Sequence, residues 1–126
     1  MYKKVILKLS GEALQDETTH LILDAKKLDA IGLLVGIVTG AGNIFRGRIA
    51  SEAGIKVEDG DYMGMTGTII NCKAISSILD KLGIKNMLFS ALELENVAKK
   101  YDPIEANRFM DEGYVCLFAG GIGKPG

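Results

Sequence analysis

The sequence predicts an α/β domain in which helices sandwich a mainly parallel sheet. Three observations carry that expectation. Short apolar runs rich in β-branched residues alternate with longer helix-like stretches, the order expected of repeated strand, helix, strand units. Two of these runs, at 5–9 (VILKL) and 33–38 (LLVGIV), are apolar almost throughout, as strands covered on both faces are. Three of the four predicted strands are followed by clusters of small residues, and in open α/β sheets ligands gather at that carboxyl edge.

Taken in order, the first strand at 5–9 is bounded by Ser10 and Gly11. A helix-like stretch follows at 21–31, with Leu21, Leu28 and Ile31 roughly aligned. The second strand, 33–38, is closed by Thr39, Gly40, Ala41 and Gly42. The longest helical signal runs from 62 to 82, where Met65, Ile69, Cys72, Ile75, Leu79 and Leu82 step by 4, 3, 3, 4 and 3 residues along one face. Gly83 is its expected C′ stop. A third strand is expected at 86–89 (NMLF). Asp102 followed by Pro103 has the form of an N-cap with proline at N1, opening a helix to about residue 112. Gly113 ends that helix, and 114–118 (YVCLF) is the fourth strand.

Composition narrows the function classes. Of 126 residues, 48% are apolar and 25% charged, which is ordinary globular usage and argues against disorder. The net charge is −1, from 15 basic and 16 acidic residues, so no overall field recruits nucleic acid. No apolar run is long enough to span a bilayer, and the basic start of the chain lacks the apolar stretch of a signal peptide; a cytoplasmic protein is expected. Cys72 and Cys116 form no C-x-x-C pair and read as small buried hydrophobes. The single histidine, His20, has no triad partner in the pattern and reads as a surface residue.

The chemistry concentrates in the glycine-rich strand ends. Ser10-Gly11, Gly40-Ala41-Gly42-Asn43 and Ala119-Gly120-Gly121-Ile122-Gly123 predict a continuous surface of exposed backbone N–H groups, which bind phosphate through unsatisfied donors and a positive local dipole. Two cations lie beside them. Lys8 interrupts an apolar strand, so its ammonium must reach an anion or, at a sheet edge, water. Arg46, four residues beyond Gly42, would oppose the dipole of a helix start unless an anion lies nearby; a surface salt bridge is its simpler reading. The pattern G-x-x-x-x-G-K-[ST] is absent, and Phe45 stands where a dinucleotide fingerprint needs its third glycine. These exclude a P-loop NTPase and a nicotinamide enzyme by pattern.

The strings Lys8-Leu9-Ser10-Gly11-Glu12-Ala13-Leu14, Gly42-Asn43-Ile44-Phe45-Arg46-Gly47 and Gly60-Asp61-Tyr62-Met63-Gly64-Met65, in this order, resemble the bacterial uridylate (UMP) kinase family of the amino acid kinase superfamily. Ser90-Ala91-Leu92-Glu93 and Phe118-Ala119-Gly120-Gly121 extend the resemblance over most of the chain. It implies transfer of the ATP γ-phosphoryl group to UMP, giving UDP and ADP in pyrimidine nucleotide biosynthesis. It further implies magnesium held mainly by ATP phosphates, a homohexamer, and GTP and UTP as effectors. By position, Lys8, Leu9, Ser10, Gly11, Gly42 and Arg46 would meet ATP, with Lys8 catalytic through charge stabilisation. Ala41, Asp61, Ile122, Gly123, Lys124, Pro125 and Gly126 would meet UMP, Asp61 through the ribose hydroxyls.

The sequence departs from the family pattern at three places. Ala41 stands where a glycine is usual, Ile122 and Lys124 replace polar residues around the last glycine, and the stretch between Asp16 and Leu34 is shorter than usual. Residues 1–126 correspond to the N-terminal, acceptor-binding part, with the C-terminal part that completes the ATP site absent, so the chain alone is expected to be inactive. Two other readings stay open: a family enzyme acting on a carboxylate or carbamate, and a non-catalytic nucleotide-binding module. Asp61 also has a simpler reading, as the N-cap of the long helix.

Overall fold

Every strand pairing in the sheet is parallel. The computed structural model describes residues 3–9, 16, 20, 33–41 and 52–120. In chain order these form β1 (Lys3–Leu9), β2 (Leu33–Thr39), α1 (Val57–Lys81), β3 (Asn86–Ser90), β4 (Lys99–Lys100), α2 (Pro103–Asp111) and β5 (Val115–Phe118). The spatial order of the strands is β1-β2-β5-β3-β4. Register is flush across all of them: Lys8, Val38, Phe118, Phe89 and Lys99 lie in one row, each paired with the next.

Of the two near-continuous apolar strands, β2 is covered on both faces as expected, whereas β1 is not: at the end of the strand order it leaves Ile6 47% exposed on the α2 side. On one face α1 lays Ile69, Cys72, Ile75 and Leu79 against Leu9, Val35, Ile37, Leu88 and Leu117. On the other, Ala106 and Met110 of α2 pack with Val38, Phe89, Cys116 and Phe118. Phe89 is wholly buried and stacks on Phe118 with ring centroids 6.0 Å apart. Edge-on contacts from Tyr101 and Phe109 to Phe89 complete the cluster, a geometry that aromatic quadrupoles favour. Lys4 on β1 ties across to α2 by donating to Asn107 Oδ1 at 2.6 Å.

Helices α1 and α2 end alike. Gly83 (φ 73°) and Gly113 (φ 91°) occupy the left-handed C′ position. Gly83 N–H donates to the Asp80 carbonyl and Ile84 N–H to that of Leu79; Gly113 and Tyr114 repeat the pattern with Met110 and Phe109. These are Schellman motifs, and Tyr114 packs edge-on against Phe109 as the accompanying apolar contact. At α2's start Asp102 caps as expected, accepting from Ile104 N–H at 3.2 Å. Beyond the end of α1, Asn86 accepts from Ser76 Oγ at 2.6 Å and donates to Asp80 Oδ1 at 2.7 Å, fastening the helix to the start of β3.

Three expectations are corrected. The long helix begins at Val57, not near 62, because its first turn carries no apolar stripe to report it; Val57 is 81% exposed. Its N-cap is Lys56, which makes no side-chain cap, while Glu58 and Asp59 offset the dipole in the first turn. Asp61 therefore lies inside the helix, and its reading as a cap falls. Strand β4, two exposed lysines, has no apolar signature and exists through its pairing with Phe89 and Ser90. The helix expected at 21–31 lies outside the described residues, while His20 is exposed as anticipated.

Gly36 faces α2 between β1 and β5, where an added Cβ would lie 2.5 Å from Ile6 Cδ1 and 2.8 Å from Phe118 Cε2. The Ile6 terminus can swing aside, but the Phe118 ring is held by its stack on Phe89. Gly36→Ala should therefore cost about 1–3 kcal/mol by overpacking, read as a lowered urea midpoint. The cysteines supply a second check. Each is 0% exposed, and they lie in the cores on opposite sheet faces, so they cannot pair. Burial pushes both thiols from 9.0 up to about 12, with nearby Lys4 slightly opposing this at Cys116. The resulting stability is fully present below pH 9 and is lost as pH rises towards 12, where only the unfolded chain ionises readily. Iodoacetamide at pH 8 should label neither thiol in the native protein and both after denaturation.

Candidate functional site

The flush register brings the ends of β1, β2 and β5 side by side at the carboxyl edge. Lys8 and Leu9 close β1, Thr39, Gly40 and Ala41 close β2, and Ala119 and Gly120 follow β5. Side chains alternate along a strand, so Leu9 turns into the core beneath α1 while Lys8 turns to the other face. There Lys8 shares its row with the buried Val38 and Phe118 yet is itself exposed. Its position in β1, outermost in the strand order, lets its stem lie on apolar surface and its ammonium reach solvent.

Helix α1 supplies the other side of the site. Asp61, Met65, Thr68 and Cys72 recur at steps of 4, 3 and 4 residues and so share one stripe. Cys72 Sγ approaches the Phe118 carbonyl at 3.8 Å. One turn nearer the helix start, Thr68 Oγ1 accepts from Gly120 N–H at 2.7 Å and donates to the Met65 carbonyl at 2.6 Å. Asn71, 2% exposed, donates from Nδ2 to the Gly40 carbonyl at 2.7 Å. Met65 fills the space over Gly120, whose φ of 75° is left-handed; a Cβ there would meet Met65 Cγ at 3.1 Å. Asp61 is exposed and stands two turns before Thr68, about 10 Å along the axis. The stripe thus carries its carboxylate beyond the sheet edge, on the face opposite Lys8.

This geometry modifies the expected surface of exposed amides. After β5 the N–H groups are already used: Ala119 donates to the Phe89 carbonyl at 2.9 Å and Gly120 to Thr68. Donors for a phosphate on that strand end must therefore come from beyond Gly120. After β2, Gly40 and Ala41 are half-buried. Among the described residues Asn96 is the one non-glycine with positive φ, so Ala41 keeps an ordinary backbone and its methyl causes no strain there. Of the predicted site residues, Ser10, Gly11, Gly42, Arg46, Ile122, Gly123, Lys124, Pro125 and Gly126 lie outside the described residues.

Thr68 and Asn71 were not anticipated. Their signal was available, since both are polar residues set among the apolar positions of α1, where a polar group is costly unless bonded. Among the described residues no three His, Cys, Asp or Glu side chains come together to hold a metal ion. Nor is any described helix long and apolar enough to cross a membrane.

The profile of the amino acid kinase family matches residues 3–126. The uridylate kinase of Brucella abortus biovar 1 is 40% identical over 134 aligned positions, covering 98% of this chain and 55% of that protein. That of Porphyromonas gingivalis is 38% identical, covering 98% and 56%. In three dimensions the chain is similar to the UMP kinase of Bacillus anthracis, with a TM-score of 0.85, 34% identity and coverage of 98% and 55%. The UMP kinase of Ureaplasma parvum gives the same TM-score at 27% identity. The chain spans about half the length of the curated relatives it matches.

Proposed function

The chain belongs to the amino acid kinase family, and on that premise we propose that it is the acceptor-binding part of a UMP kinase, which transfers the ATP γ-phosphoryl group to UMP. The observation that carries this reading is the placement of Lys8 and Asp61 on opposite faces of one carboxyl edge, with small-residue strand ends between them. Uridylate kinases at 38–40% identity support the choice of acceptor.

The chemistry asks little of the protein beyond alignment and charge. A phosphate oxygen of UMP attacks the γ-phosphorus in line, the new P–O bond forms, and the bond to the β-phosphate oxygen breaks to release ADP. UMP brings its own anionic nucleophile, so no side-chain base is needed. Lys8, with Ser10, Gly11, Gly42 and Arg46, would hold the ATP phosphates, the Lys8 ammonium offsetting charge on the transferring group. Asp61 would accept from the ribose hydroxyls of UMP, with Ala41 against the nucleotide and Ile122–Gly126 closing over it. Magnesium would ride mainly on the ATP phosphates, where it would neutralise their charge. The remainder of the ATP site, a homohexameric assembly, effector binding of GTP and UTP, and a cytoplasmic setting complete the reading.

UMP titration by calorimetry tests it on this chain, and UDP formation from ATP tests it where the chain is joined to the remainder of the ATP site. Asp61→Asn should keep the fold and weaken UMP binding ten- to hundredfold, roughly the worth of a charge-assisted hydrogen bond. Unchanged UMP affinity would remove Asp61 from the site. Lys8→Ala should lower turnover by about a hundredfold or more while nucleotide affinity stays within roughly tenfold. A near-normal rate in that variant would take Lys8 out of the mechanism. UMP binding with no turnover in any form of the protein would favour a nucleotide-binding module instead.

A further inference from the structure

We infer that Thr68 and Asn71 are positioning residues, which fasten the chain leaving β2 and the chain leaving β5 to the helix that carries Asp61. The identity of the acceptor rests on the UMP kinase reading, whereas the fastening stands on the geometry alone. Thr68 and Asn71 are three residues apart and therefore neighbours on α1, and they reach strands that are themselves paired, β5 and β2. Asn71 bonds the Gly40 carbonyl directly before Ala41, at 2.7 Å. Thr68 takes the Gly120 N–H, at 2.7 Å, two residues before Ile122. Both anchor points thus sit at the root of segments assigned to the acceptor.

The bonds are directional. The Thr68 hydroxyl proton is committed to the Met65 carbonyl at 2.6 Å, which turns an oxygen lone pair towards Gly120. Asn71 is buried, and its bond to the Gly40 carbonyl holds the backbone where β2 ends. Asp61 lies on the Thr68 stripe two turns away, so the helix and the strand ends at Gly40 and Gly120 share one frame. A hydrogen bond lost here would let the loop roots drift relative to Asp61, and misplacement of that kind is felt first in acceptor affinity.

The decisive comparison is Thr68→Val against Thr68→Ser in the full chain. It is read by amide exchange at Gly120, UMP calorimetry and urea unfolding. Valine keeps the shape but removes the acceptor oxygen; serine keeps it. The valine variant should exchange the Gly120 amide about tenfold or more faster and bind UMP roughly tenfold more weakly. Serine should restore both to within about threefold. Asn71→Ser, a smaller change, should weaken UMP binding similarly, so the inference stays testable if the valine variant does not fold. Thr66→Val removes a bond made only within the helix, to the Tyr62 carbonyl at 2.8 Å, and should change neither readout. Unaltered Gly120 exchange in Thr68→Val would overturn the fastening. Faster exchange with unmoved UMP affinity would reduce Thr68 to a stabilising role and overturn the positioning. If the unsubstituted chain binds no UMP, the acceptor reading fails, and Gly120 exchange still decides the fastening.

Discussion

Parallel pairing across β1, β2, β5, β3 and β4 obliges each strand to enter at one edge and leave at the other. The chain must then return through a crossover before pairing again, and those crossovers place helices on both faces. From this constraint follow the two separate cores, the apolar run of each central strand and the gathering of strand exits along a single rim. A chain that pairs in this way needs no special arrangement to bring Lys8, Gly40 and Gly120 near one another. It needs only that their strands be neighbours in flush register.

Helix α1 uses the same rim differently at successive turns. Its lower turns, through Ile75 and Leu79, are a conventional apolar stripe over the sheet. Higher up, the stripe changes chemistry: Cys72 faces the Phe118 carbonyl, and Asn71 and Thr68 bond to backbone. Above these, Met65 covers Gly120, and Asp61 is left in solvent. The change from apolar to polar along one face follows the thinning of the sheet beneath it. Where strands stop, there is backbone rather than side chain to pack against, and a polar residue is the better match for an unpaired carbonyl or N–H.

Much of this was legible in the residues. Alternating apolar runs named the fold class, and the Asp102-Pro103 pair and the glycines at 83 and 113 marked helix ends that proved to be a cap and two Schellman turns. Periodicity located α1 from about residue 62 onward but could not see its start, because Val57 and the acidic residues after it are exposed and no packing imposes a pattern on them. Strand β4 was invisible for a related reason: two lysines form a strand only because Phe89 and Ser90 offer them an edge. Within the site, glycine clusters pointed to the rim, yet their spacing could not tell which N–H groups are already taken. That depends on Thr68, 52 residues away in sequence yet adjacent in space, and only the fold brings it to Gly120.

The ties of Asn86 to Ser76 and Asp80 have a consequence for how the rim behaves. They hold α1 at its far end, while Asn71 and Thr68 hold it near the rim, so the helix is fastened to the sheet at two stations. A nucleotide meeting Asp61 would find a bracket already set during folding. The entropy of arranging that bracket is then charged to folding rather than to each binding event.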